Sequence, residues 1–160
     1  MDKYQVETGE FSETLLLSKE ITGPYWELME DPFPECFQWA VEHPDIAEQH
    51  VVGVYYDDPA KKAPEKCRAL MGVPVKEGAE VPEGYEVRKV EGILAAQTVY
   101  EGALGDMNKI KAYDALRKWI QENDAYVYDW TQPAIEIYLD SALKEGKKGR
   151  TRILFPIRKK

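Results

Sequence analysis

Between residues 132 and 141 the chain reads QPAIEIYLDS, in which Ile135, Ile137 and Leu139 alternate with Ala134, Glu136 and Tyr138. A period of two marks a strand with two different faces. Strands are also predicted over ETLLLSKEI (13–21), VVGVYYDD (51–58), CRALMGVPV (67–75) and GRTRILFPIRK (149–159), with one or two more around Gly92 in 85–102. Two stretches change to a helical period. One becomes helical near Pro34, where proline suits a first turn, carries Phe37, Ala40 and Val41, and ends at Pro44. The other, 104–124, has Asp106 as its N-cap and an apolar stripe of Met107, Ile110, Tyr113, Leu116 and Ile120. PAKKAPEK (59–66) reads as a charged turn, KEGAEVPEG (76–84) as a linker and SALKEGKK (141–148) as a loop. Residues 1–12 are polar and are expected to be poorly ordered.

These elements run twice in the same order: strand, helix, strand, strand. Trp39 aligns with Trp119, Tyr55 with Tyr138, Asp57 with Asp140 and Arg68 with Arg152, and upstream Tyr25 with Tyr100. The offset grows from 75 residues to 80, 83 and 84, as it does when duplicated units acquire longer loops. One unit cannot bury both faces of its sheet. Two can pack their helices on one face of a joined antiparallel sheet, an α+β arrangement. A single domain over 1–160 is expected, with pseudo-repeats at about 12–75 and 85–159. The other sheet face is then concave, and a ligand cleft between the halves follows.

The repeat also assigns faces. Ile137 falls on Val54 and Glu136 on Gly53. Ile135, Ile137 and Leu139 are therefore assigned to the helices. Glu136, Tyr138, Gly53 and Tyr55 are assigned to the open face. Glutamate is disfavoured in strands, so Glu136 has two readings: an exposed residue on a solvated face, or a charge turned toward a ligand. Gly53 would leave space opposite it. Trp26 and Tyr100 lie in the related PYWE and VYEG segments and either reach the cleft or cap the core. Trp130, in a loop before the Glu136 strand, is a lid or an anchor for its own loop. Trp39, Trp119, Met71 and Phe155 are assigned to packing against or on the helices.

Composition narrows the function classes. The chain has 160 residues, 44% of them hydrophobic, with four Trp and ten Tyr, residues that build apolar sites with a polar edge. Its net charge of −8 argues against a nucleic-acid surface. Cys36 and Cys67 form neither a metal motif nor a disulfide framework and are expected to be reduced. His43 and His50 are expected at the surface. No phosphate loop, nucleophile elbow or HExxH motif is present, so no metal and no cofactor is expected. No signal core and no membrane-length apolar run occurs, so a cytoplasmic protein without membrane contact is expected.

The duplicated unit, the PAIEIYLD strand and the terminal RTRILFPI strand together resemble the GyrI-like small-molecule-binding family, which includes the effector-binding domains of BmrR/Rob-type regulators. The resemblance covers about residues 12–158. It implies a curved antiparallel sheet with two helices on its convex side and an aromatic cleft between the halves. It implies that Glu136 contacts the charge of lipophilic cations, with Tyr138, Tyr55, Gly53, Trp26, Tyr100 and Trp130 around it. It carries two alternatives as well. One subset looks like cyclopropanoid hydrolases, in which Glu136 assisted by Tyr100 would be catalytic. Other members bind DNA gyrase, which makes gyrase a second kind of partner. No helix-turn-helix segment precedes the domain, so direct transcriptional control is not expected.

Overall fold

Nine strands, two α-helices and a short 3-10 helix at Pro64–Lys66 occur in the described part of the computed structural model, which comprises residues 4–25, 35–102, 109–139 and 149–160. The strands are β1 (Glu7–Phe11), β2 (Thr14–Thr22), β3 (Val51–Tyr55), β4 (Arg68–Pro74), β5 (Glu86–Val90), β6 (Ile93–Gly102), β7 (Tyr126–Tyr128), β8 (Ala134–Tyr138) and β9 (Gly149–Lys159). The helices are α1 (Glu35–Glu42) and α2 (Lys109–Glu122). The repeated order is β2-α1-β3-β4 and then β6-α2-β8-β9. All pairings are antiparallel, and the sheet runs β1-β6-β9-β8-β3-β4-β2-β5, with β7 attached to β9.

Each half receives its edge strand from the segment that precedes the other half. β1 pairs with β6 in the second half, and β5, beyond the 76–84 linker, pairs with β2 in the first. Residues 4–12 are thus not loose, contrary to expectation. Residues 7–11 form a strand, and Tyr4 and Val6 pack against the core beneath α2.

This exchange curls the sheet. β1 and β5 stand at opposite ends of the path, yet β1 leads into β2, and β5 into β6, through only two intervening residues. Such links span about 10 Å. The two ends are therefore drawn together, and a Cβ on Gly92 would lie 2.8 Å from the Phe11 carbonyl oxygen. Inside the curl, Phe11, Leu16, Val90 and Ile93 meet Val52, Val54, Leu70, Ile135 and Leu154 in a core that, among the described residues, contains no helix residue, with Ile137 packed against it.

The expected faces are therefore reversed. Ile135 and Ile137 point away from the helices into the curl, where apolar packing fills the concave side. Tyr55 and Tyr138 instead share a core with Phe37 and Ala40 of α1. Glu136 lies on this same side, because β8 alternates and Glu136 shares its face with Tyr138. Met71 and Phe155 do face the helices as expected, in the α1-side and α2-side cores. Register ties them to the same face as Glu136: Gly53 is paired with both Glu136 and Met71, and Glu136 with Ile153, two residues before Phe155.

The helices also turn differently from the expected stripes. Val41 is 45% and Ile110 44% exposed. On α2 the buried positions are Lys109, Ala112, Leu116 and Ile120, so a lysine holds the place expected of an apolar residue. Trp39 and Trp119 are half-buried and pack against the α1-side and α2-side cores. Asp106, Met107 and the Cys36 side chain lie outside the described residues. β7 was not anticipated, since three residues are too few to show a period. No helix among the described residues is long and apolar enough to cross a membrane, and no metal-binding cluster occurs among them.

Candidate functional site

β8 lies at the middle of the sheet, between β3 and β9, and presents Glu136 toward α2. The side chain is buried, with 6% of the residue exposed. Two α2 residues one turn apart reach it. Lys109 Nζ lies 2.5 Å from Oε1, and the Tyr113 hydroxyl donates to Oε2 at 2.9 Å. Residues at i and i+4 share a helix face, which is why both arrive at the same carboxylate. Lys109 is itself only 4% exposed. Its ammonium also lies 5.4 Å from the Tyr138 ring centre and 5.9 Å from that of Tyr113, within cation–π reach.

The floor on the α1 side is made of phenols. The Tyr55 and Tyr138 hydroxyl oxygens lie 2.5 Å apart and share a hydrogen bond. The Tyr25 ring meets the Tyr55 ring edge-on at 4.9 Å. The space expected over Gly53 is filled: a Cβ there would lie 2.9 Å from the Tyr55 ring and hydroxyl and 3.1 Å from Met71 Sδ. Burial raises the pKa of Tyr55, Tyr138 and Tyr113 well above the ordinary tyrosine value, and the negative charge of Glu136 raises it further. All three are therefore neutral phenols, able to donate hydrogen bonds.

Of the residues expected at the site, Glu136, Tyr138, Tyr55 and Gly53 are brought together. Tyr100 is fully buried beneath α2 and is opposed to Thr151, which in turn is opposed to Tyr138. Trp26 lies outside the described residues. Trp130 is 60% exposed. Its ring packs on that of Tyr128 at 4.2 Å, tilted by 35°, and Lys61, from the charged turn of the first half, lies 3.3 Å from its ring centre. It is linked to the site through a file of rings. Tyr128 meets Phe155 at 5.8 Å, Phe155 meets Tyr113 at 5.9 Å, and Tyr113 holds Glu136.

Lys109 and Tyr113 were not read as site residues from the sequence. The available signal was spacing: Lys109 stands three, seven and eleven residues before the buried Ala112, Leu116 and Ile120. The site is covered rather than open. A cavity of about 380 Å³ lined by Trp39, His43, Ile46 and residues 77–82 lies elsewhere, as does one of about 270 Å³ lined by Tyr4, Gln5, Glu7, Gln97, Thr98, Val99 and Arg152. Chemically, the arrangement is a buried anion with three neutral phenols and one internal cation. It can hold a positive charge and hydrogen-bond acceptors in an apolar surround.

The family model of the GyrI-like small molecule binding domain matches residues 4–158. A DNA gyrase inhibitor of Pectobacterium carotovorum is 32% identical over 138 residues, 84% of each chain. A DNA gyrase inhibitor of Salmonella arizonae is 27% identical, covering 79% of this chain and 81% of its own. Among solved structures, the C-terminal domain of EcmrR superposes with a TM-score of 0.73 at 19% identity, covering 99% of both chains. SAV2435 bound to tetraphenylphosphonium superposes with a TM-score of 0.65 at 14% identity, covering 96% of this chain and 94% of its own. A hydrolase from Listeria innocua superposes with a TM-score of 0.64 at 10% identity, covering 96% and 92%. At such identities these structures speak for the fold.

Proposed function

The chain belongs to the GyrI-like small-molecule-binding family, and on that premise we propose that it binds lipophilic aromatic or cationic compounds at Glu136, between the two helices. The observation that carries this reading is a buried carboxylate at the junction of the halves, ringed by the Tyr55, Tyr113 and Tyr138 phenols. A carboxylate removed from water gains strongly from a matching cation, and aromatic rings add attraction of their own. A large aromatic cation can spread its charge over those rings while its apolar surface replaces protein contacts. At 10% identity, the hydrolase neighbour lends this chain a fold and no chemistry.

Tetraphenylphosphonium, the ligand of the SAV2435 structure, is a suitable probe because its charge is permanent. Calorimetric titration of the wild type and Glu136→Gln is expected to show binding that weakens at least about tenfold in the variant, since the neutral amide forfeits the charge attraction. Equal affinity for the two proteins would remove Glu136 from the site.

A second reading, an interaction with DNA gyrase, rests on the gyrase inhibitors that match 84% and 79% of the chain. The net charge of −8 suits a basic partner surface. Addition of the purified protein to a gyrase supercoiling assay is expected to lower the rate in a salt-sensitive way. An unchanged rate at saturating protein removes this reading and leaves the first one standing.

A further inference from the structure

The ammonium of Lys109 sits where the charge of a cationic ligand would sit. It is the partner of Glu136 Oε1, it lies near the Tyr138 and Tyr113 rings, and it is shielded from solvent. We propose that Lys109 is a resident cation that a cationic ligand must displace, which makes it the residue that sets the affinity and selectivity of the site. This inference rests on the reading of Glu136 as the ligand's counter-charge.

Glu136 cannot hold a ligand's cation at Oε1 while the lysine remains there, because two cations would then compete for one oxygen in a buried site. Displacement is also feasible. An ammonium has three donors, and Lys109 Nζ has no hydrogen-bond partner among the described residues beyond its close ion pair with Oε1. Its four-carbon stem is flexible and can carry the charge to water. Tyr113 is held differently. Its hydroxyl is bonded to the other carboxylate oxygen, Oε2, so it can stay while Oε1 is vacated. The site therefore opens by exchanging one ammonium for one ligand cation and leaves the carboxylate paired throughout.

Selectivity follows. A ligand without positive charge gains nothing from expelling Lys109, since Glu136 would be left unpaired. A weakly held cation with little apolar surface cannot compete with an ammonium already tethered in place. The device favours permanent charge combined with broad aromatic surface. If the open form is a minor fraction of the protein, the apparent affinity is reduced by that fraction, and removing the lysine restores it.

Calorimetry with tetraphenylphosphonium on the wild type, Lys109→Met and Lys109→Met/Glu136→Gln provides one test. Lys109→Met is expected to bind at least about tenfold more tightly than the wild type, as expected when a competing closed form is removed. The gain is expected to vanish in the double variant, because it acts through the carboxylate. Equal affinity of Lys109→Met and wild type, with Glu136→Gln weakened, overturns the role of Lys109 and leaves the binding reading intact. Binding in none of the proteins overturns both. A second measurement needs only the wild type: lysine acylation followed by mass spectrometry. Lys109 is expected to be protected in the free protein and to become reactive at saturating tetraphenylphosphonium. Continued protection while calorimetry shows the cation bound overturns the proposal, even where Lys109→Met does not fold.

Discussion

Gly53 and Glu136 are directly opposed across β3 and β8, the two strands through which the halves join. The internal repeat aligns these same two positions. Equivalents by duplication are thus partners in space, and the site lies on the local symmetry axis of the fold. The asymmetry between them has a physical reason. Two glutamates directly opposed in an antiparallel pair would repel, so only one half can carry the charge. The glycine half gives its space to the Tyr55 ring, which folds over Gly53 toward Tyr138.

Gly53→Ala tests that packing. The new Cβ would lie 2.9 Å from the Tyr55 ring and hydroxyl, closer than real Cβ atoms come, and a tight 3.1 Å from Met71 Sδ. Both neighbours are buried, so neither can swing into solvent. The Tyr55 ring must shift and strain its bond to Tyr138. Overpacking of this kind costs about 1–3 kcal/mol. Urea denaturation is expected to show a lower midpoint with an unchanged slope, and a midpoint equal to that of the wild type would contradict the close fit.

The Lys109–Glu136 pair makes a prediction for stability separate from ligand binding. Lys109→Met leaves a buried carboxylate without its cation, and losses of about 3–5 kcal/mol are usual when one partner of such a pair is removed. Replacing both, as Lys109→Met/Glu136→Leu, removes the charge altogether and is expected to recover most of the loss. The double-mutant cycle in urea measures the coupling. Additive single effects would mean that the two groups do not interact in the folded protein.

Much of this architecture was legible in the residues. Alternation located β8, other apolar runs located β2, β3, β4 and β9, and the repeat gave their order and aligned Gly53 with Glu136. The face assignment was not legible. β8 is buried on both sides, so Ile135 and Tyr138 look equally suited to a core, and alternation alone cannot say which core carries a helix. The link that decides it is the exchange of β1 and β5, two short polar strands whose pairing depends on the curl of the whole sheet. Lys109 was missed for a related reason. A helical stripe read from apolar residues passes over a lysine whose burial depends on a carboxylate 27 positions later.

The tyrosines predict an alkaline response. Burial pushes Tyr25 and Tyr128 up to about 12, and Tyr55, Tyr113 and Tyr138 are raised as well, by burial and then by the charge of Glu136. A group whose folded pKa lies above its unfolded value contributes stability that is full below the unfolded value and lost as pH rises through the folded one. The protein is therefore expected to lose stability above pH 10, the ordinary tyrosine value. Phenolate absorbance of these five should rise late, together with loss of the near-ultraviolet circular dichroism signal. A single smooth titration of all ten tyrosines in the folded protein would contradict the burial of the site.

Asp57 predicts the acid side. It follows β3 and ties that strand's end to the start of β4, accepting a hydrogen bond from the Arg68 amide at 2.7 Å and facing the Lys62 ammonium at 3.2 Å. Its own amide donates to the Tyr25 hydroxyl at 3.0 Å, which links the corner to the ring that packs on Tyr55. Desolvation alone would raise the carboxyl's pKa, but the hydrogen bonds from Arg68 and Lys62 outweigh it and hold the value below the ordinary 3.8. A depressed folded value contributes stability that is present above the unfolded pKa and lost as pH falls through the folded one. Asp57→Asn keeps the shape and removes the charge. The variant is expected to be less stable than the wild type at neutral pH, and the two urea midpoints should converge as pH falls below 3.8. A gap that persists unchanged into strong acid would show that the carboxylate charge contributes nothing at this corner.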